Sequence, residues 1–171
     1  LVQAVFAGEE NFDIIEINSG EENKNIDFCI GIWKMLIDFE ADRKALMINL
    51  GGGVITDMGG FAASTFKRGI DFVQVPTTLL SQVDASVGGK NGIDVGLYKN
   101  IVGIINQPQF LFYDYSFLET LPDSEWVNGF AEIIKHACIK DEEMFHSLEK
   151  NSIEKFQSSD EMIGELIKRN V

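Results

Sequence analysis

Two glycine-containing segments hold the residue types best suited to binding an anion. Three consecutive glycines at 51–53 follow the apolar run 45–50, and a Thr-Thr pair at 77–78 precedes Gly-Gly-Lys at 88–90. Glycines directly after a strand permit a tight turn, and the helix that begins there presents free backbone N–H groups to a phosphate. These segments therefore indicate a turn that binds a phosphate group.

The triple glycine departs from the standard dinucleotide-binding fingerprint, Gly-x-Gly-x-x-Gly. Counted from Gly51, the fingerprint requires Gly or Ala at position 56, where Thr56 stands. The acidic residue expected about twenty residues later is Asp71, which precedes the next predicted strand instead of ending it. The spacing alone leaves nucleotide binding and a purely structural turn equally open.

A carboxylate and a histidine lie one helical turn apart in the C-terminal part of the sequence. Glu132 is followed by Lys135 at i+3 and His136 at i+4. A solvated helix face with weak ion pairing is the default interpretation of this spacing. A Glu and a His at i and i+4 can also share a metal ion, although a catalytic zinc needs three protein ligands and an open position.

The charge distribution places cations near the glycine segments. The chain has a net charge of −13, whereas residues 61–100 contain four cations and only three acids. The acidic total argues against nucleic acid as a general partner, because phosphate backbones require clustered Lys and Arg. The locally basic stretch suits a small anion, with chance clustering as the alternative. By default Lys99 is a solvated loop lysine and Asp84 an acid paired with a neighbouring cation.

The elements that must position these residues alternate between strands and helices. Apolar patterning predicts strands at 12–18, 45–50, 72–75 and 109–115. Helical spacing predicts a helix from a cap at Asn25 to about Glu40 and another at 55–66. A third helix is expected from a cap at Thr77 or Thr78 to the glycines at 88–89. Strands alternating with helices predict a Rossmann-like α/β domain with a parallel sheet.

The sequence after position 122 is acidic and predicts helices only. Apolar residues keep helical spacing after 123, around 144–156 and around 162–167. We therefore expect an α/β domain over 1–122 and the start of an all-α domain over 123–171, with the boundary at 122–124. The apolar stripe at 162–167 has no later segment to cover it, which predicts a truncated helical domain in a fragment of a longer chain.

Composition restricts the classes of protein to which the chain can belong. The chain has 171 residues, 45% of them hydrophobic, which is enough for one good core. No apolar run approaches 18 residues and no signal-peptide pattern is present, so we expect neither a membrane span nor secretion. The two cysteines, Cys29 and Cys138, lack CxxC spacing, which disfavours a disulfide framework or a cysteine zinc site and favours the reducing cytoplasm.

Several segments together resemble 3-dehydroquinate synthase. They occur in one order across most of residues 19–150, and the most distinctive is KRGIDFVQVPTTLLSQVDASVGGKNGID at 67–94. The others are SGEENK at 19–24, GGGVITD at 51–57, GFAAS at 60–64, YKN at 98–100, FLETLP at 117–122 and GFAEIIKHA at 129–137. The resemblance covers nearly the whole chain but only about half of the family's usual length.

The resemblance implies a binding site for NAD around the triple glycine. The family's pyrophosphate turn corresponds to residues 53–57, where Thr56 replaces a small residue that is usually glycine. The residues implied in cofactor binding are Ser19, Gly20, Glu21, Glu22, Asn23, Lys24, Gly53, Val54, Ile55, Thr56, Asp57, Thr77, Thr78, Lys90, Lys99, Phe117, Leu118, Glu119 and Thr120.

The resemblance also implies a sugar-phosphate substrate and a catalytic metal, zinc or cobalt. A substrate with a carboxylate and a phosphate needs fixed cations. The positions that match the family's substrate contacts are Asp84, Lys90, Lys99, Asn100, Lys135 and Arg68. Arg68 matches a phosphate-binding arginine that can reach across a homodimer. Glu132 matches the metal carboxylate, whose two histidine partners in the family lie beyond Val171, so we expect an incomplete metal site.

The implied reaction converts 3-deoxy-D-arabino-heptulosonate 7-phosphate to 3-dehydroquinate and phosphate, a lyase-type step of the shikimate pathway in which NAD is regenerated. Another sugar-phosphate cyclase, of the 2-deoxy-scyllo-inosose or valiolone synthase type, is a first alternative. A glycerol-dehydrogenase-like oxidoreductase is a second. A non-catalytic fragment that binds nucleotide weakly or not at all is a third.

Overall fold

A computed structural model describes residues 12–171, in which a region of alternating strands and helices precedes a region of helices. The strands are β1 (Leu46–Gly51), β2 (Asp71–Pro76), β3 (Lys90–Val95) and β4 (Tyr98–Ile105). The helices are α1 (Ile26–Asp38), α2 (Gly53–Thr65), α3 (Asp123–Lys140), α4 (Glu142–Lys150), α5 (Ile153–Gln157) and α6 (Asp160–Asn170). Short 3-10 helices lie at Glu21–Asn23, Phe66–Arg68 and Tyr115–Leu118, and a π-helical turn lies at Ser81–Ala85. The predicted class, α/β followed by helices, is confirmed.

The parallel pair β1–β2 positions the glycine turn. The two strands pair from Leu46 with Asp71 to Gly51 with Pro76, and α2 connects them. The predicted strands at 45–50 and 72–75 are confirmed, and the predicted helix at 55–66 begins two residues earlier, at Gly53. Because the strands are parallel, their carboxyl ends lie at one edge of the sheet, which is where α/β folds bind ligands.

Helix α1 begins at the predicted cap. The Asn25 side chain accepts hydrogen bonds from the backbone N–H groups of Asp27 and Phe28, at 3.0 and 3.2 Å. These bonds satisfy two of the donors that a helix N-terminus leaves without partners. The helix ends at Asp38, two residues before the predicted end.

Two of the predicted strands are wrong or incomplete. Residues 12–18 form no strand, and Ile15 and Ile17 instead pack against the core cluster that includes α1. The apolar side chains of this alternating pattern thus pack against a helix surface. Residues 109–115 form a single parallel bridge, between Leu111 and Gln74, before the chain turns into the 3-10 helix Tyr115–Leu118.

The structure contains an antiparallel hairpin of β3 and β4 that is not predicted from the sequence. The strands pair from Lys90 with Ile105 to Val95 with Tyr98, and Gly96 at their connection has φ 60°. All eight residues of β4 are exposed, so β4 lacks the apolar–polar alternation that marks a half-buried strand. The helix predicted to reach the glycines at 88–89 is shorter than expected, because its π-helical turn ends at Ala85.

Two clusters of buried side chains form the core of the described residues. One joins α1, α2, β2 and β3, with Cys29, Met58 and Ile93 fully buried. The other joins α3, α4, α5 and α6 and also includes Leu79 and Val83. The segment around the π-helical turn therefore follows the sheet in sequence but places apolar side chains in the helical core.

The apolar stripe of α6 is covered by described residues. Ile163, Leu166 and Ile167 are buried in the helical cluster by earlier residues, so the stripe needs no later segment to cover it. Helix α3 begins at Asp123, inside the range 122–124 in which we predict the domain boundary; the boundary itself stays a prediction. Among the described helices, none combines the length and apolar character needed to cross a membrane.

Candidate functional site

The glycine turn leaves the N-terminus of α2 open at the edge of the parallel pair. Gly52 precedes the helix, and no side chain caps it. A Cβ atom on Gly51 would lie 2.6 Å from Ile55 Cγ1, and one on Gly52 would lie 3.1 Å from Thr78 Cγ2. Thr77 N donates to Gly51 O at 2.9 Å, which fixes the end of β2 against the turn. Uncapped N–H groups in a cradle that side chains would fill suit a phosphate.

Thr56 places its hydroxyl inside its own helix. The side chain is fully buried, and Oγ1 donates to the backbone oxygen of Gly53 at 3.1 Å. Its backbone oxygen accepts a hydrogen bond from Gln74 Nε2 at 2.8 Å. The β-branched side chain therefore packs α2 against the sheet and leaves the space in front of the turn free.

Lys24 connects three segments beside this turn. Its Nζ donates to Asp57 Oδ2 and to Asn100 Oδ1, both at 2.6 Å, and the residue is only 4% exposed. Burial raises the pKa of Asp57, and the positive charge and hydrogen bond of Lys24 oppose this rise. Asn100, at φ 53°, is fixed further because its N–H donates to Asp94 Oδ1 at 2.7 Å. Lys24 thus holds the hairpin against α2.

An open cleft of about 540 Å³ lies between the hairpin and the N-terminal half of α2. It brings together four of the predicted site residues, Asp57, Asp84, Lys90 and Asn100. Lys90 is exposed and has no ion-pair partner among residues 12–171. The apolar side chains of Ile101, Ile104 and Ile105 from β4, together with Asn91 from β3, complete the lining. The cleft therefore combines a free cation, two carboxylates and an apolar wall.

Lys99 and Arg68 are among the predicted cationic residues that do not line this cleft. Lys99 lies on the outer side of the hairpin, where its Nζ is 3.2 Å from Glu21 Oε1 and its side chain is 69% exposed. Arg68 is exposed in the 3-10 helix that follows α2. Because α2 has 13 residues, Arg68 lies roughly 20 Å from the glycine turn along the helix axis.

The other predicted cofactor residues differ in how much of each side chain is accessible. Ser19, Gly20, Glu21 and Glu22 lie at or beside the 3-10 helix Glu21–Asn23 with their side chains mostly accessible. Asn23 is buried, and its Nδ2 donates to the backbone oxygens of Asn18 and Ser19. Half-buried residues at the glycine turn are Val54, Ile55, Thr77 and Thr78. Of residues 117–120, Leu118 is buried in the helical core, Phe117 is half-buried, and Glu119 and Thr120 are exposed.

Three potential metal ligands meet where the π-helical turn contacts α3. One ligand atom from each of Asp84, Glu132 and His136 lies within 4.8 Å of the other two. Glu132 also pairs with Lys135, and its Oε1 lies 3.5 Å from His136 Nε2. Sequence spacing indicates the Glu132–His136 pair, but Asp84 is missed as its third member because it lies far away in the chain.

Asn91 and Asn170 also lie at the site, although neither is predicted from the sequence. Asn91 lies in β3 and lines the cleft, so only knowledge of the hairpin would have identified it. Asn170, the last residue of α6, contacts His136 through Oδ1 at 3.2 Å. Asn91 lies within the distinctive segment 67–94 but is not among the site residues implied by the resemblance, and no motif marks Asn170.

Comparison with protein families and curated sequences gives consistent matches. The family model "3-dehydroquinate synthase N-terminal" matches residues 14–128. The chain is 48% identical over 155 residues to 3-dehydroquinate synthase of Acetivibrio thermocellus and 51% identical over 140 residues to that of Nitratiruptor sp.. These alignments cover 90% and 82% of this chain but only 43% and 40% of those proteins. The chain thus spans less than half the length of these relatives.

Solved structures agree with these matches. A 2-epi-5-epi-valiolone synthase from Streptomyces hygroscopicus subsp. jinggangensis, with NAD⁺ and Zn²⁺ bound, aligns over 99% of this chain and 48% of its own, with a TM-score of 0.93 and 32% identity. A 2-deoxy-scyllo-inosose synthase with carbaglucose-6-phosphate, NAD⁺ and Co²⁺ aligns over 72% of this chain and 34% of its own (TM-score 0.69, 30% identity). A probable glycerol dehydrogenase from Sinorhizobium meliloti, at 17% identity and a TM-score of 0.53, shows the fold alone.

Proposed function

The chain belongs to the 3-dehydroquinate synthase family, and we propose that it serves the conversion of 3-deoxy-D-arabino-heptulosonate 7-phosphate to 3-dehydroquinate and phosphate. The observation that carries this proposal is the cleft in which Asp84, Lys90 and Asn100 lie beside the uncapped glycine turn. Such a cleft offers a free cation and carboxylates to one small molecule, and the start of α2 lies next to it, because Gly53 is close to Ala85 in the cleft lining. Relatives of the same name at 48% and 51% identity support the choice of reaction.

NAD fits the glycine turn as a dinucleotide cofactor. Its pyrophosphate would lie on the uncapped N–H groups at the start of α2, beside Gly52, whose missing Cβ leaves room for Thr78 Cγ2. Lys24 and Asp57 are already paired there and would position the cofactor together with accessible groups of the 19–24 segment. The cyclases of solved structure that contain NAD⁺ support this assignment.

The chain's cations would bind and orient the substrate. Lys90 lies in the cleft without an ion-pair partner in the described part of the chain, and it can bind a carboxylate or a phosphate. Asn100 and Asp84 offer a fixed amide and a carboxylate for hydroxyl groups of a sugar acid. Holding a flexible substrate in one conformation lowers the entropic part of the barrier to ring closure.

Three further cations would act from the edges of the site. The Lys135 ammonium, which pairs with Glu132 on α3, can shift to a substrate anion at the edge of the cleft. Arg68 lies at the far end of α2, so we propose that it serves the cleft of a second copy in a homodimer, whose phosphate it would bind. Lys99, paired with Glu21 at the surface, would contact the cofactor or substrate after a side-chain movement.

A divalent metal, zinc or cobalt, fits the donor set at Glu132, because carboxylate oxygen and imidazole nitrogen are ligands for both ions.

When bound, NAD would supply reversible hydride acceptance at C5 of the substrate, and the metal would polarise the oxygen at that carbon. Loss of phosphate would follow, with Lys90 and Arg68 neutralising the charge on the departing group. NAD would be restored within one turnover, so the net reaction is a phosphate-releasing lyase reaction.

Another sugar-phosphate cyclase is the second candidate. The valiolone synthase structure, which aligns over 99% of this chain with a TM-score of 0.93, favours this candidate. The identity to that enzyme is 32%, however, against 48% and 51% to 3-dehydroquinate synthases. We therefore place the heptulosonate phosphate first as substrate.

The test is phosphate release by a protein of the relatives' full length that contains this sequence. With heptulosonate phosphate, NAD and zinc, we expect phosphate and dehydroquinate in equal amounts, and we expect a chelator to stop their formation. Release from a different sugar phosphate, with none from heptulosonate phosphate, would favour the other cyclases. Accumulation of NADH in proportion to product would instead show a dehydrogenase and refute the proposal.

A further inference from the structure

The hairpin of β3 and β4 contains a bulge beside the cleft. Regular pairing is interrupted at Asp94, the one residue of β3 that lies opposite three residues of β4, 99–101. Asn100, in the middle of the three, has φ 53°, a left-handed conformation that asparagine adopts more readily than most residues. Bulges bend a strand and change the direction of a side chain, often next to an active site. Because Asn100 lines the cleft, the bulge sets the position of its amide group in the cleft wall.

The side chain of Asp94 closes this bulge. Its Oδ1 accepts a hydrogen bond from the backbone N–H of Asn100 at 2.7 Å, so a carboxylate replaces the backbone acceptor of a regular strand pair. The backbone N–H of Asp94 donates to Lys24 O at 2.8 Å, which joins the hairpin to the segment before α1. Asp94 is half-buried, and within residues 12–171 its carboxylate has no ion-pair partner. Its contacts therefore serve the backbone on either side of the cleft wall.

The contact with Lys24 determines which way the amide group of Asn100 is turned. Lys24 Nζ can only donate hydrogen bonds, so the side-chain atom of Asn100 that lies 2.6 Å from it is the oxygen, Oδ1. The amide nitrogen, Nδ2, keeps two N–H donors, and it has no hydrogen-bond partner in the part of the chain that the structure describes. Such donors bind hydroxyl, carboxylate or phosphate oxygens of a ligand.

We propose that Asp94 is a positioning residue for the reaction in the cleft. It fixes the backbone of Asn100 in the left-handed conformation, so that the amide nitrogen of Asn100 binds an oxygen of the substrate. The proposal rests on the proposed function, because it takes Asn100 as a substrate-binding residue. Without the carboxylate of Asp94, the bulge loses its support, whereas Lys24 keeps its bond to Asp57. The substrate should therefore be affected more than the cofactor.

The test uses a protein of the relatives' full length that contains this sequence, with heptulosonate phosphate, NAD and zinc. Asp94→Ala should lower kcat/KM about 10- to 100-fold, because a displacement of about 1 Å in a positioned group costs up to this much. The affinity for NAD, measured by calorimetric titration, should stay within about threefold. Asp94→Asn keeps an oxygen that can accept the same N–H, so its kcat/KM should stay within about threefold of wild type.

Asp42→Ala is the matched control. Asp42 Oδ1 also accepts a backbone N–H, that of Lys44, at 2.7 Å, in the loop that precedes β1. This loop lies at the opposite end of β1 from the glycine turn. The kcat/KM of Asp42→Ala should therefore stay within about twofold of wild type.

A double-mutant cycle distinguishes positioning from a general loss of structure. Asn100→Gly has no amide group to position, so adding Asp94→Ala to it should change kcat/KM by no more than about twofold. A general structural effect would lower kcat/KM equally in both backgrounds. Circular dichroism establishes that each variant is folded. If Asp94→Ala does not fold, Asp94→Leu, which has a similar shape without the oxygen, is judged by the same criteria.

A kcat/KM of Asp94→Ala equal to that of wild type, or an undiminished effect in Asn100→Gly, would overturn the proposal. Absence of phosphate release by wild type would instead refute the proposed function. Hydrogen exchange of the Asn100 backbone amide, followed by NMR of the full-length protein with ¹⁵N-asparagine, then tests the bulge without substrate. We expect exchange to be at least about fivefold faster in Asp94→Ala and within about twofold of wild type in Asp94→Asn. Equal exchange in wild type and Asp94→Ala would overturn the positioning role whatever the reaction.

Discussion

Lys24 shows how a single side chain joins three distant segments. It lies next to α1, Asp57 lies in α2, and Asn100 lies in β4, yet both partners are 2.6 Å from its Nζ. The sequence resemblance indicates all three as site residues, but it does not indicate that they bind one another. Only the fold brings them together, and pairwise contacts of this kind have no local signal in the sequence.

Replacing Lys24 with Met should destabilise the protein in a pH-dependent way. The variant leaves the Asp57 carboxylate half-buried without a partner, and breaking such a pair costs about 3–5 kcal/mol at pH 7. Burial raises the pKa of Asp57, and removal of Lys24 removes the two influences that lower it. An acid with a raised folded-state pKa is tolerated when protonated and loses stability as pH rises through that pKa. Urea unfolding of wild type and variant at pH 4 and pH 7 measures the difference, which should be larger at pH 7.

The double variant Lys24→Met/Asp57→Leu is the control for this prediction. Replacing both members of a buried ion pair with apolar groups is often nearly neutral. The double variant should therefore be more stable than Lys24→Met at pH 7. A double variant that is equally destabilised, with no dependence on pH, would show that the loss comes from packing and not from the uncompensated charge.

At the scale of elements, the packing of α3 against the segment around the π-helical turn sets the distance between Asp84 and the Glu132–His136 pair. Gly129 on α3 lies against Leu79, and a Cβ at this position would be 2.5 Å from Leu79 Cγ. Asp84 follows Leu79 within the same segment, while Glu132 and His136 follow Gly129 on α3. The absence of a side chain at 129 thus allows the two elements to approach.

Gly129→Ala should destabilise the protein by about 1–3 kcal/mol, because the added methyl group overpacks a buried contact with Leu79. The matched control is Gly31→Ala in α1, where a Cβ would have nothing within 4 Å. There the better helix propensity of Ala should increase the unfolding free energy by about 0.5–1 kcal/mol. Chemical denaturation of both variants gives the two values, and the same sign for both would contradict the explanation from packing.

The elements differ in how well the sequence predicts them, for physical reasons. Asn25 and the apolar spacing of α1 are local features, and they identify its start to the residue and its end within two residues. The hairpin is missed because β4 is exposed along its whole length and so has no alternating pattern. Residues 12–18 have that pattern but use it to cover a helix, which local patterning cannot distinguish from pairing in a sheet.

At the scale of the whole molecule, the two core clusters are linked by the segment between β2 and β3. Leu79 and Val83 of this segment are buried in the helical cluster, although they precede the predicted boundary at 122–124 by about forty residues. The order of an α/β region and a helical region is predictable from periodicity. The contact of one segment with both regions is not predictable in this way, because it depends on contacts between elements distant in sequence.

Each cluster contains one of the two tryptophans, which makes this link testable. Trp33 packs against the α/β cluster, and Trp126 is buried in the helical cluster. In Trp33→Phe and Trp126→Phe, the fluorescence of the remaining tryptophan reports on one cluster only. We expect each variant to show the same urea midpoint by fluorescence as by circular dichroism, since the segment between β2 and β3 contacts α2 in one cluster and α3 in the other. A fluorescence midpoint that differs from the circular dichroism midpoint would instead show two units that unfold independently.

Two lysine contacts of very different exposure join β4 to residues 21–24, and only one of them should be sensitive to ionic strength. Lys24 Nζ holds Asn100 from the interior, where dissolved ions have little access, whereas Lys99 meets Glu21 with 69% and 45% of the two side chains exposed. At physiological ionic strength screening acts over about 8 Å and weakens exposed pairs far more than buried ones. Added salt should therefore loosen the outer edge of the hairpin and leave its inner attachment in place.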